Sequence, residues 1–276
     1  MTTARRRVLL TGATGVVASQ LRPALAQAYD LALVDVRSTS GTGEPVEGVE
    51  LVDLLGCTDA ELHALLGGVD TVVHCGYLQP AGEPSYAGER LNLDMTARVY
   101  EAARTAGVRR VVVASTNQAS KGYEQPWAEQ RIDRVGPEDY PRPDSFYGWA
   151  KAAYESLGFL YACGALGRRL EVVAVRIVAP REIRAADFAD RPLERYLRDI
   201  AGYVSPRDLA QLFTRSVDAA SVEDRFGVPF QIFYGVSANA RTFWSITNAR
   251  EVVGYAPQDD SEVRFADEIA AMLARG

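Results

Sequence analysis

Residues 7–18 read RVLLTGATGVVA, an apolar run that breaks at a glycine-spaced turn and resumes with helical periodicity. A short strand ending at Thr11, a tight turn and a helix over Gly15–Ala28 are the elements this pattern predicts. Gly12 permits the turn, Gly15 lets the backbone approach a pyrophosphate, and Ala18 supplies the small residue that helix-on-strand packing needs. The helix that follows aims its N-terminal amides at an anion, with Thr14 and Val16 completing the loop. At the end of LALVD stands Asp35, about 20 residues beyond Gly15, where a carboxylate accepts hydrogen bonds from an adenosine ribose. Its charge repels a 2′-phosphate, which favours NAD over NADP, while Arg37 two residues on keeps NADP open.

From this start the chain alternates apolar strand-length runs with helical stretches. VELVDL (49–54), a helix near Thr58–Leu66, DTVVHC (70–75) and a long helix near Tyr86–Ala106 come first. RRVVVAS (109–115), an irregular stretch, a helix near Asp144–Ala165 and LEVVAVRI (170–177) follow. Runs apolar on both sides belong to strands buried on both faces, and the βαβα order predicts an α/β fold with a doubly wound parallel sheet. After Pro180 the Arg-rich stretch 181–199 reads as a loop or short-helix excursion resembling a lid. A serine-capped helix from Ser205, the strand PFQIFYGV (229–236) and a helix near Phe265–Leu273 close the chain. The expected division is a Rossmann core over 1–180, to which 205–236 return, and a small substrate-capping lobe from 181–204 and 237–276.

Carboxyl ends of parallel strands open onto the ligand crevice. Asp53 and Leu54 are therefore expected near an adenine, Cys75, Gly76 and Tyr77 near the pyrophosphate and nicotinamide ribose, and Thr116, Asn117 and Gln118 near a substrate oxygen. A small buried strand-end residue accounts equally for Cys75. Asn92, polar inside the long helix, is a further candidate at the cofactor site, expected to bond a neighbouring backbone or a water on the active-site lysine.

YGWAK (147–151) places Tyr147 and Lys151 four residues apart on one helical face. An ammonium beside a phenol, with an oxidised nicotinamide near, lowers the phenol's pKa toward neutrality and makes it a general base. The lysine carries information because the chain has 28 arginines and only two lysines, Lys121 and Lys151, and an arginine cannot supply a compact, switchable ammonium.

Composition narrows the alternatives. The 276 residues are 47% hydrophobic, enough for one large domain, and no apolar run reaches the ~20 residues that span a bilayer. A cytoplasmic protein without membrane contact is expected. The net charge of −6 disfavours a nucleic-acid face. Three cysteines without metal-type spacing and two histidines, His63 and His74, argue against a disulfide framework, a metal site or a histidine base.

The motifs TGATGVVA, Asp35, Asp53, HCGY, ASTN, YGWAK and VRIVAP together resemble the extended short-chain dehydrogenase/reductase family, also called the NAD-dependent epimerase/dehydratase family, over essentially the full length. Within it the stretches GYEQP, PRPDSFYGWAK, YGVSAN, FWSITNA and VVGYAPQ are similar to the uronate dehydrogenase group. That resemblance implies oxidation of the anomeric hydroxyl of a cyclic hexuronic acid, with hydride passing to NAD. It implies Tyr147 as base, Lys151 as its partner and Thr116 as the hydroxyl that bonds substrate, with Tyr77, Asn117 and Gln118 beside it. Gln118 stands where that group has histidine, and Val16 where it has glutamine. Among Arg181, Arg184, Arg195 and Arg198, Arg195 is the expected partner of a substrate carboxylate. The family also implies a homodimer or higher homo-oligomer. A sugar epimerase or dehydratase using the same Tyr–Lys pair is the alternative enzyme, and a non-catalytic dinucleotide sensor is an alternative of another class.

Overall fold

A computed structural model describes residues 5–79, 82 and 84–274. Seven strands, β1 (Arg7–Thr11), β2 (Asp30–Asp35), β3 (Val49–Leu51), β4 (Thr71–His74), β5 (Arg110–Thr116), β6 (Glu171–Ile177) and β7 (Phe230–Gly235), form one sheet in the order 3-2-1-4-5-6-7. Every neighbouring pair is parallel. The helices are α1 (Val16–Ala28), α2 (Asp59–Leu65), α3 (Tyr86–Thr105), α4 (Glu124–Ala128), α5 (Phe146–Ala162), α6 (Leu193–Gly202), α7 (Pro206–Asp218), α8 (Thr247–Val253), α9 (Ser261–Arg264) and α10 (Ala266–Leu273).

The sheet is sandwiched because its central strands have no polar face to show to water. All four residues of β4 and all seven of β5 are buried. One core packs Leu21 and Leu25 of α1 and Leu212, Phe213 and Val217 of α7 against Val8, Leu10, Val73, Val112 and Val173. The other packs Leu62 of α2, Val99 of α3 and Tyr154 of α5 against Leu9, Val72, Val111, Val113 and Val172. Helix α5 sits especially close to the sheet: a Cβ at Gly158 would lie 2.8 Å from Val172 Cγ1 and 3.0 Å from the Tyr100 hydroxyl.

The topology places the crevice. From β1 the chain runs outward through β2 and β3, then returns to put β4 on β1's other side, so the connections leaving β1 and β4 diverge and a cleft opens above their carboxyl ends.

Three segments depart from the sequence pattern. The strand expected over 49–54 covers only Val49–Leu51, because β3 is an edge strand paired to β2 alone, and the Asp53 carboxylate turns the chain by accepting from the Leu55 N–H at 2.9 Å. The irregular stretch after β5 contains a 3₁₀ helix over Asn117–Tyr123 followed by α4. The excursion 181–199 holds a 3₁₀ turn, Ala185–Phe188, and most of α6, on which Arg195 is exposed while Tyr196 and Ile200 are buried. Those two join Ile183, Phe188, Tyr203, Phe265, Ile269 and Met272 in a third, smaller core. Phe243, Trp244 and Tyr255 pack instead with the main core beneath α7. Among the described residues, no helix is long and apolar enough to cross a membrane.

Candidate active site

The glycine turn is shaped by its neighbour strand. Gly12 has φ +64°, and a Cβ there would lie 2.6 Å from the Cys75 carbonyl and 2.7 Å from the Gly76 nitrogen. No side chain fits, so the loop backbone closes directly over the end of β4. Gly15 then caps α1, leaving the first amides of the helix facing the cleft. Asp35 organises the loop: its Oδ2 accepts from the Thr14 N–H at 2.9 Å and the Thr14 hydroxyl at 2.8 Å, and its Oδ1 from the Val36 N–H at 2.7 Å. A carboxylate has about four lone-pair positions, so acceptor capacity remains for a ribose hydroxyl. Arg37 donates to the Thr14 hydroxyl at 3.1 Å.

The cleft has a volume of about 750 Å³. Of the residues expected there, Gly12, Gly15, Val16, Asp35, Asp53, Leu54, Cys75, Gly76, Tyr77, Thr116, Gln118, Tyr147 and Lys151 line it. The side-chain-free turn, the helix N-terminus and the carboxylate at the end of β2, all on this cleft, fit a dinucleotide.

Four expected residues lie off the lining. Thr14 is buried under Asp35. Asn92 is fully buried and clamps the backbone of Leu78, accepting from its N–H at 2.7 Å and donating to its carbonyl at 2.9 Å. Asn117 is buried and donates to Glu124 at 3.3 Å. Arg195 is exposed on α6 and also outside the lining. Arg198, one turn on, is half-buried above the Trp244 ring and forms ion pairs with Glu124 and Asp199, while Arg181 pairs with Asp199 at 2.5 Å. Arg37 is the one arginine lining the cleft among the described residues, and it stands at the end beside Asp35.

The chemistry concentrates where α5 meets β5. Ser145 caps α5 by accepting from the Gly148 N–H at 3.2 Å, and a Cβ on Gly148 would lie 2.5 Å from the Gln118 carbonyl oxygen. The glycine inside YGWAK thus lets the first turn of the helix press on the segment after β5, which brings Tyr147 beside Thr116. Lys151 is buried and donates to the Ala114 carbonyl at 3.0 Å, with its ammonium 5.8 Å from the Tyr147 ring centroid and 5.3 Å from that of Tyr77. Tyr77 meets Tyr147 edge-to-face at 5.4 Å.

Burial pulls the Lys151 ammonium down to about 8, although Cys75, Glu89 and Glu155 push it the other way. Burial raises the Tyr147 phenol, the charge of Glu89 adds to the rise, and the Thr116 hydroxyl opposes both. The free site therefore holds a protonated phenol, and a nearby positive charge is required to turn it into a base near neutral pH. His74 is pushed down to about 3 by burial and by Lys151, and stays neutral between the Thr11 and Thr96 hydroxyls. Burial pushes the Cys75 thiol up to about 12, which leaves it inert. Neither side chain is a base near neutral pH.

Several lining residues escape the motif-based reading: Gln79 after β4, and Ile177, Val178 and Pro180 at and after the end of β6. The strand-end rule that singles out Cys75 and Thr116 applies equally to β6, so the signal for the last three was present. Buried Glu89, which accepts from the Tyr77 hydroxyl, had no comparable signal.

The family model described as the NAD dependent epimerase/dehydratase family matches residues 8–201. Uronate dehydrogenase from Pseudomonas putida is 34% identical over 265 residues, covering 95% of this chain and 87% of that protein. The L-arabinose 1-dehydrogenase (NAD(P)(+)) of Haloferax volcanii is 32% identical over 267 residues, covering 92% and 97%. Among solved structures, a mutant uronate dehydrogenase from Agrobacterium tumefaciens complexed with NAD superposes with a TM-score of 0.73 at 26% identity, covering 98% of this chain and 90% of that one.

Proposed function

The chain belongs to the NAD-dependent epimerase/dehydratase family as an NAD-dependent dehydrogenase, and from that premise we propose that it oxidises the anomeric hydroxyl of a small cyclic sugar, with Tyr147 as general base. The observation that carries this reading is the convergence of Tyr147, Lys151 and Thr116 in the cleft that the glycine turn also lines.

NAD, held by the glycine turn, Asp35 and Lys151, would supply the hydride acceptor and a positive charge that favours the phenolate. Tyr147, in phenolate form, removes the hydroxyl proton as the carbon gives up its hydride, so the sugar loses two electrons and two hydrogens and leaves as a lactone. Lys151, anchored on the Ala114 carbonyl, favours the phenolate and donates toward the ribose hydroxyls. Thr116 donates to the reacting oxygen and holds it in line. The small third core around Tyr196 and Phe265 serves as the lobe that caps the sugar.

The relatives named as uronate dehydrogenases favour a hexuronate as substrate, and Arg195 remains the proposed carboxylate partner, which would require its side chain to swing in from solvent. One observation favours a neutral aldose instead: Arg198, the better buried arginine on α6, already has its charge met by Glu124 and Asp199. An uncharged sugar would not compete with those carboxylates. A screen for NADH formation with galacturonate, glucuronate, arabinose, galactose, glucose and their phosphates decides between the two. Tyr147→Phe is expected to fold, bind NAD and lose about a hundred- to ten-thousandfold in kcat, and substantial turnover in that variant removes the proposed base. Isomerised or dehydrated product without net NADH would assign the epimerase or dehydratase reaction instead.

A cytoplasmic homo-oligomer that pairs α3 and α5 across an axis completes the proposal. Exposed Leu91 on α3 and Phe159 and Leu160 on α5 support it, and light scattering of the purified protein tests the assembly.

A further inference from the structure

Two side chains one turn apart on α3, Glu89 and Asn92, grip consecutive residues of the loop that leaves β4. The Glu89 carboxylate accepts from the Tyr77 hydroxyl at 2.7 Å, while Asn92 holds both backbone groups of Leu78 and donates weakly to Glu89 at 3.4 Å. Glu89 is fully buried, and no lysine or arginine lies within ion-pair distance of it among the described residues. Its position in the first turn of α3 puts it near the positive end of the helix dipole, where a negative charge is favoured. Burying a carboxylate without a cation is otherwise costly, so the feature is not neutral filler.

What it holds is the wall of the active site. The Tyr77 ring meets Tyr147 edge-to-face at an interplanar angle of 82°, and the Lys151 ammonium lies 5.3 Å from the Tyr77 centroid. A phenol that donates to a carboxylate has a more electron-rich ring, which strengthens its hold on the ammonium. We propose that Glu89 is a positioning residue that, through Tyr77, keeps Tyr147 and Lys151 in reacting register. This rests on the reading of Tyr147 as the base.

The titratable groups around the pair are Glu89 on α3, Tyr77 and Cys75 after β4, His74 at the end of β4, and Tyr154 and Glu155 on α5. His74 is held neutral and Cys75 protonated across the working range, and Glu155 is engaged by Arg176. Glu89 is thus the unpaired negative charge near the pair, and its charge raises both Tyr147 and Lys151. Removing it lowers both, so the two limbs of a bell-shaped rate profile move in the same direction.

The test compares Glu89→Gln, Tyr77→Phe and Glu89→Asp in the full-length protein with NAD. Glu89→Gln is expected to move both limbs of the kcat profile to lower pH by more than about 0.3 unit. Tyr77→Phe keeps the charge but loses the hydrogen bond, and is expected to lower kcat about tenfold with the profile in place. Glu89→Asp, on a shorter stem, is expected to match Tyr77→Phe, and it carries the test if the amide does not fold. A profile unmoved in Glu89→Gln overturns the role of charge, and wild-type kcat in Tyr77→Phe overturns the positioning. Titration of Tyr147 by ¹³Cζ-tyrosine NMR without sugar, its signal assigned as the one missing from Tyr147→Phe, reads the same shift directly. That measurement keeps a failure of the Glu89 role distinct from a failure to find a substrate or from turnover in Tyr147→Phe.

Discussion

Arg176 on β6 and Glu155 on α5 face each other through two hydrogen bonds of 2.7 and 2.8 Å, and neither side chain has appreciable contact with solvent. Ser115 donates to Glu155 at 2.7 Å, and Arg176 donates to the Tyr234 hydroxyl at 2.9 Å, which is bonded in turn to Ser120 at 2.8 Å. The network ties β5, β6, β7, α5 and the turn after β5 together just behind Thr116. Removing one ion strands the other in a dry interior. Glu155→Gln and Arg176→Met are each expected to cost about 3–5 kcal/mol, visible in denaturant unfolding, while the double replacement by well-packed apolar residues recovers part of that loss. Single variants as stable as the wild type would show the pair to be dispensable.

At the glycine turn the expectation is sharper, because geometry and contact forbid the same change. Gly12→Ala places a methyl group 2.6 Å from the Cys75 backbone at a φ of +64°. The turn must open, which spoils the amide cradle. Calorimetric titration is expected to find NAD affinity reduced by about a hundredfold or more, with a lowered melting temperature.

The proposed preference for NAD rests on the charge of Asp35. Asp35→Ser retains a hydroxyl for the Thr14 contacts, removes the negative end and leaves Arg37 at hand for a 2′-phosphate. The ratio of kcat/KM for NAD over NADP is expected to fall by about tenfold or more. An unchanged ratio would place the discrimination elsewhere.

Lys151 is a stability liability whose pH dependence has a definite sign. Its ammonium titrates near 8 in the folded protein against 10.5 when free, so between those values the unfolded chain binds the extra proton and stability rises with pH. The penalty is fully present below about 8, relieved by about 10.5, and on the order of 3 kcal/mol. Lys151→Met is accordingly expected to melt higher than the wild type at neutral pH, with the difference shrinking as pH rises, while activity is lost. A constant or widening difference would contradict burial as the cause.

Much of the architecture was legible because burial imposes a pattern. TVVH and RVVVAST are apolar enough on both sides to betray central strands, and TGATG with Asp35 locates the dinucleotide turn. VELVDL misled by length, since an edge strand stops where a side chain, here Asp53, offers the backbone a better partner. Over 181–199 the sequence pattern left loop and short helix open, because the buried side of α6 is carried by few residues, Tyr196 and Ile200 chief among them. In the site, YGWAK and the strand ends were readable as motifs. Asn92 was noticed but reaches the site only through Leu78. Glu89 was unreadable: carboxylates in a first helical turn are ordinary, and only three-dimensional packing reveals that this one is shut away from water.

The missing side chain at Gly158 has a consequence eleven residues upstream. Because α5 rests on the sheet there with no spacer, its axis is fixed at one end by Val172 and Tyr100 and at the other by the Gln118 carbonyl against Gly148. The helix behaves as a beam clamped at both ends. Its two reactive groups sit near one clamp, so lifting the far end by a single methyl would tilt them away from the sugar without touching anything that reacts.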